Sequence, residues 1–206
     1  MKQETKSALA RQRILETALA EFSARGYEGA SLNTAFAENG ISKGLVYHHF
    51  KDKNELYLLC VERCFNDFTA YLRAAGAQTD GTPEERLGRY FDARMRFFTR
   101  CPQYLGIFVD AALQPPPALR EAVGARRERF DQLNLSVLRA LLAARPLRAG
   151  LSPADIAEEF RVYMDYFNLR FRDALAQGEP IEQVLRAHEQ RCRRQVDILL
   201  HGVFAP

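Results

Sequence analysis

The sequence predicts an all-α protein: three short helices in a helix-turn-helix arrangement, followed by a body of roughly six longer helices. Three observations carry this. Apolar residues recur at three- and four-residue spacing along most of the chain. No alternating run of β-branched residues marks a strand. The breaks fall at glycines, prolines and polar capping residues, which are the signals of helix ends.

The first helix is expected over Arg11–Arg25, where Ile14, Leu15, Ala18, Leu19 and Phe22 form one apolar stripe and Gly26 supplies the stop. Ser31 is placed to cap a short second helix reaching Glu38 or Asn39, and Asn39-Gly40 reads as a turn. Ser42 caps a third helix that runs to about Phe50. Asp52, with Glu55 three residues on, opens a longer helix from Lys53 to about Ala75. After a linker at 76–83, Thr82-Pro83-Glu84-Glu85 starts a helix that reaches about Arg100. Pro102 breaks it, and a short segment Gln103–Leu113 ends at Pro115-Pro116-Pro117. Further helices are expected over Ala118–Ala144, from the Ser152-Pro153 start to about Ala176, and from Ile181 to about Gly202.

Composition is ordinary for a globular protein, with 47% hydrophobic and 27% charged residues in 206. No apolar run approaches the ~18 residues of a membrane span. The polar start Met1–Arg13 lacks the apolar stretch of a signal peptide, so a cytoplasmic location is expected. The net charge of +3 says little about nucleic acid, and residues 1–53 carry eight basic and six acidic side chains. Cys60, Cys64, Cys101 and Cys192 form no CxxC pair and lie at no metal-like spacing from histidine. They read as small apolar residues of a reduced protein, and no metal or cofactor is expected. Paired carboxylates, a phosphate-cradling glycine loop and a nucleophile motif are all missing, so the chain is not expected to be an enzyme.

The chemistry concentrates in one run. Asn39-Gly40-Ile41-Ser42 is a tight turn with an apolar plug and a cap, and Lys43-Gly44-Leu45-Val46-Tyr47-His48-His49-Phe50 follows as a helix short enough to enter a major groove. Leu45 or Val46, with Phe50, can pack inward. Lys43, Gly44, Tyr47, His48 and His49 remain on the other faces. Gly44 costs helix stability and suits a close approach. Tyr47 and His48 can donate to phosphates, as can Lys53 at the positive end of the next helix.

Residues Arg11–Leu58 resemble the DNA-binding domain of the TetR family, most closely along Gly40–Leu56, with Ile14-Leu15, Ala18, Phe22 and Gly26-Tyr27 also in place. The family usually has an aliphatic residue and Ala where Ala35 and Phe36 stand, and Ala at Asn39. The resemblance implies a DNA-binding domain at 1–53, an effector-binding and dimerisation domain at 54–206, and a homodimer on a palindromic double-stranded operator, released by an effector. It implies DNA contacts from Ser31, Lys43, Leu45, Tyr47, His48 and Lys53, to which Ser42 and Gly44 of the same turn and helix are added.

Two further sets follow from apolar patterning. The aromatic and polar residues Phe91, Met95, Phe98, Tyr104, Phe108, Asn134, Tyr163, Tyr166 and Phe167 are candidates to line a hydrophobic or aromatic effector pocket. Phe160, Met164, Phe171, Val184, His188, Cys192, Val196 and Leu199 on the last two helices are candidates for the dimer interface.

Overall fold

A computed structural model describes residues 2–76, 80–144 and 146–203, and its regular elements among these are helical. They are α1 (Lys2–Gly29), α2 (Leu32–Glu38), α3 (Lys43–His49), α4 (Lys53–Gly76), α5 (Pro83–Arg100), α6 (Leu105–Leu113), α7 (Arg120–Leu142), α8 (Pro153–Ala176) and α9 (Ile181–Val203). Among the described residues, no helix is long and apolar enough to cross a membrane.

The boundaries follow the expected signals with local differences. α1 starts much earlier than the apolar stripe, because the polar residues before Arg11 carry no helix breaker. Its last turn is offset at Gly26, whose φ of 66° and ψ of 179° leave the helical region. Glycine suits that positive φ, and a Cβ there would also press on Asp110 Oδ1, 3.0 Å away. Ser152 closes a full capping box with Asp155 at the start of α8, as its sequence signature promises. At α4 the box is displaced: Asp52 Oδ1 accepts from Glu55 N at 2.9 Å, while Glu55 reaches back to Lys51 N at 2.6 Å.

The chain divides into two compact units, Met1–Asp67 with Arg100–Glu128, and Phe68–Thr99 with Arg129–Pro206. The first is built on Ile14, Ala18 and Phe22 of α1 and Tyr57, Cys60, Val61 and Cys64 of α4, each fully buried. α6 lies on α1 so closely that a Cβ at Gly106 would fall 1.8 Å from the Ser23 carbonyl oxygen. Asp110, one turn further along α6, accepts from Tyr57 Oη at 2.6 Å and from Tyr27 N at 3.2 Å. Burial raises the Asp110 carboxyl above its usual range, against the opposing pull of these two donors.

The second unit has its core where Leu87 and Phe91 of α5, Leu138, Leu141 and Leu142 of α7, Ile156 of α8 and Cys192, Val196 and Leu199 of α9 meet. A charged pair lies inside the same unit. Arg94 on α5 donates to Glu189 on α9 through Nε at 2.8 Å and through its NH2 group at 2.9 Å. The rings of Phe68, Tyr90 and Phe130 stand 5.5–5.9 Å from the guanidinium. Burial opposes the arginine's charge, but the Glu189 carboxylate outweighs it and holds the guanidinium protonated.

Candidate nucleic-acid interface

The turn between α2 and α3 sets the geometry. Gly40 takes a positive φ of 64°, a conformation that excludes most side chains at little cost to glycine. Ile41 then turns inward, 4% exposed, and its N–H donates to the Phe36 carbonyl at 2.8 Å. Ser42 caps α3 by accepting from Leu45 N at 3.3 Å. From α3 only Val46 is buried, and Phe50 follows it inward. One inward residue in seven leaves the remaining faces free. Lys43, Gly44, Leu45, Tyr47 and His48 are exposed, with Tyr47 at 61% and Leu45 at 37%. Lys43 Nζ stands 5.8 Å from the Tyr47 ring centre. No protein atom lies within 4 Å of the place a Gly44 Cβ would take, so packing within the chain does not explain that glycine.

Beside α3 lies an open cleft of about 630 Å³. Its floor includes Phe36, Ile41, Val46 and Phe50, and its rim includes Ser31, Asn33, Lys43, Tyr47 and Lys53. Phe36 is accommodated as part of the floor, 5% exposed. Asn39 folds its side chain back, Nδ2 donating to the Ala35 carbonyl at 2.8 Å. Arg13 ties α1 to the same turn through the Asn39 carbonyl.

Two rim residues differ from the sequence expectation. Ser31 stands at the N-cap position of α2 but makes no side-chain cap bond; its hydroxyl pairs instead with Thr34 Oγ1 at 2.9 Å, and its N–H donates to Glu21 at 2.8 Å. Lys53 is not a free cation at a helix start. Its Nζ donates to the Ala30 carbonyl at 3.0 Å and sits 4.8 Å from the Tyr27 ring centre, which fixes the ammonium on the cleft rim.

The effector-pocket set is dispersed. Tyr104 and Phe108 belong to the first unit, both buried, with Tyr104 Oη donating to Asp67 and the Phe108 ring 5.7 Å from Phe65. Phe91 is in the core of the second unit, Phe167 packs against that core, and the Phe98 ring lies tilted against Phe68 with centres 4.9 Å apart. Asn134 accepts from Tyr90 Oη, and Met95 is half-buried. Tyr163 and Tyr166 correct the expectation: they are 41% and 54% exposed on α8, because each precedes Met164 or Phe167 of the inward stripe by one residue, about 100° of helical rotation. Sequence reading missed the polar centre of this unit, Arg94, Glu189 and Tyr90. A signal existed, since Arg94 sits at heptad spacing with Leu87, Phe91 and Phe98, where an apolar residue is expected.

The dimer set needs a larger correction. Phe171, Val184, His188, Cys192, Val196 and Leu199 are each at most 9% exposed within one protomer, and Phe160 and Met164 pack partly against the same core. Those six therefore pack within the protomer, while Phe160 and Met164 remain partly exposed. The exposed large apolar side chains of these two helices are others: Val162, Tyr163, Tyr166 and Leu169 of α8 and Ile198 of α9, 41–57% exposed. His188 is a core residue, Nε2 3.2 Å from Asn168 Oδ1 and Nδ1 3.6 Å from Cys192 Sγ. Burial lowers its pKa to about 4, so it is neutral, and burial pushes the Cys192 thiol up. A neutral imidazole beside a neutral thiol gives no nucleophile. Among the described residues, no group of three or more His, Cys, Asp or Glu is arranged to hold a metal.

Residues 14–60 match the family model described as bacterial regulatory proteins, tetR family. The chain is similar to the Staphylococcus epidermidis biofilm operon icaADBC HTH-type negative transcriptional regulator IcaR, 36% identical over 62 residues, 30% of this chain and 34% of that one. It is also similar to the HTH-type transcriptional repressor AcnR of Corynebacterium diphtheriae, 43% identical over 54 residues, 26% and 28% of the two chains. These matches therefore span about a third of the curated relatives' length. The fold extends the likeness. A TetR-family transcriptional regulator from Agrobacterium tumefaciens superposes with a TM-score of 0.66 at 18% identity, covering 97% of this chain and all of that one (100%). A TetR transcriptional regulator from Chloroflexus aurantiacus gives 0.65 at 19% identity, covering 94% and 96%.

Proposed function

We propose that the chain is a regulator of the TetR family, whose family model matches residues 14–60, and that it is a ligand-responsive transcriptional repressor that binds a palindromic operator as a homodimer. The observation that carries this reading is α3 itself: a capped helix with one buried residue that exposes Lys43, Leu45, Tyr47 and His48 together. Lys43 and Leu45 are assigned to base edges, with Tyr47, His48 and Lys53 on phosphates and Ser31 and Ser42 beside them. Gly44 allows the duplex to approach the backbone. The protein acts by binding, not by catalysis, in the cytoplasm at the nucleoid.

One seven-residue helix reads few base pairs, and a dimer presents two of them about 34–36 Å apart, or at multiples of this. The reading assigns residues 1–53 to DNA, residues 54–206 to effector binding and dimerisation, and the α8–α9 face of Val162, Tyr166, Leu169 and Ile198 to the partner. Aromatic residues in the second unit favour a hydrophobic or aromatic effector. That effector binds the form whose recognition helices are wrongly spaced and draws the population off DNA. Operator affinity measured with and without candidate effectors tests this. Release is expected; a ligand that binds tightly and leaves operator affinity unchanged contradicts it.

A further inference from the structure

We infer that Asn33, on the first turn of α2, is a further base-reading residue that selects an A·T pair in each half-site; this rests on the operator-binding reading above.

Asn33 is exposed and lines the same cleft as Lys43 and Tyr47 of α3. The other asparagines of the first 60 residues are committed: Asn39 donates to the Ala35 carbonyl, and Asn54 Oδ1 accepts from Tyr27 Oη. Asn33 makes no hydrogen bond to any described residue, so both donors and its acceptor are free. Its neighbours on the rim are otherwise engaged, Ser31 with Thr34 and Lys53 with the Ala30 carbonyl. The helix carrying it is anchored by buried Ala35 and Phe36 and by the Ser31 N–H on Glu21, so the amide is presented from a fixed backbone.

The chemistry of the amide decides between a base and a phosphate. A phosphate offers acceptors only and would leave Asn33 Oδ1 facing an anion, while Lys53 on the rim suits a phosphate better. The adenine edge offers an N7 acceptor and an N6–H donor. A carboxamide matches both, Nδ2 donating to N7 and Oδ1 accepting from N6–H.

The test is binding-site selection from randomised duplexes with the full chain, followed by affinities at fixed salt for the wild type, Asn33→Ala and Asn33→Asp. Exposure of Asn33 makes both variants foldable, and circular dichroism checks this. The wild type is expected to select a site in which replacing one A·T pair per half-site costs about 5- to 100-fold. In both variants that penalty vanishes, while affinity for unrelated duplex stays the same for Asn33→Ala. A uniform loss on every sequence in Asn33→Ala, or an unchanged selection profile in either variant, overturns the inference and leaves operator binding intact. Failure of the wild type to select any sequence overturns both.

Discussion

Arg94 and Glu189 meet through two parallel hydrogen bonds, 2.8 and 2.9 Å long, with side chains 9% and 5% exposed. The pair joins α5 to α9 inside an aromatic shell. A buried ion pair adds little net stability over a well-packed apolar pair, but removing one partner strands a charge. Arg94→Met is therefore expected to cost about 3–5 kcal/mol in urea unfolding. Arg94→Met combined with Glu189→Met should recover most of that loss. Equal losses in the single and double variants would refute the stranded-charge account.

His188 makes stability depend on pH in a defined window. Its folded pKa of about 4 is depressed below the ordinary 6.5, first by burial, with Arg94 and Arg191 adding to the depression and Glu189 opposing it. The neutral ring is the form the fold accepts. Its contribution is complete above pH 6.5 and is lost as pH falls toward 4, by about 3 kcal/mol across the window. His188→Gln should lose less stability than the wild type between those limits. Parallel pH profiles for the two proteins would remove His188 as the source.

Gly106 holds α6 on α1 with no room for a methyl group, because the clashing atom is the Ser23 backbone oxygen and cannot rotate away. Gly106→Ala should lower the melting temperature, with a loss of about 1–3 kcal/mol or more. Gly124→Ala on α7, where nothing lies within 4 Å of an added Cβ, serves as the control and should be neutral or stabilising. A Gly106→Ala protein as stable as the wild type would mean that α6 is not seated as described.

Lys53 has two partners within the chain and a proposed third in the phosphate backbone. Lys53→Ala should weaken binding to all duplexes alike and flatten the dependence of log affinity on log salt by about one unit. An unchanged slope would confine Lys53 to its contacts with Ala30 and Tyr27.

The helix-turn-helix was legible because its signals are local: Gly40, Ile41, Ser42 and Val46 each do within a few residues what their types suggest. The faces of α8 and α9 were not, and the reason is physical. α8 carries two apolar stripes, Phe160–Met164–Phe167–Phe171 and Val162–Tyr166–Leu169. Periodicity finds both, but does not say which one a helix gives to its own core. The more apolar stripe went inward, and the tyrosine-bearing one stayed out. Arg94 and Glu189 escaped notice because each partner lies 95 residues from the other in sequence, and neither alone marks a site.

The central claim is that α3 reads sequence. The most direct measurement is the ratio of affinities for a selected palindromic duplex and a scrambled duplex of equal length, at one salt concentration. The wild type should favour the palindrome by about 10³-fold or more. Lys43→Ala and Leu45→Ala should each reduce that ratio by about 5- to 100-fold, while their binding to the scrambled duplex falls far less. Equal affinity of the wild type for both duplexes would contradict the account.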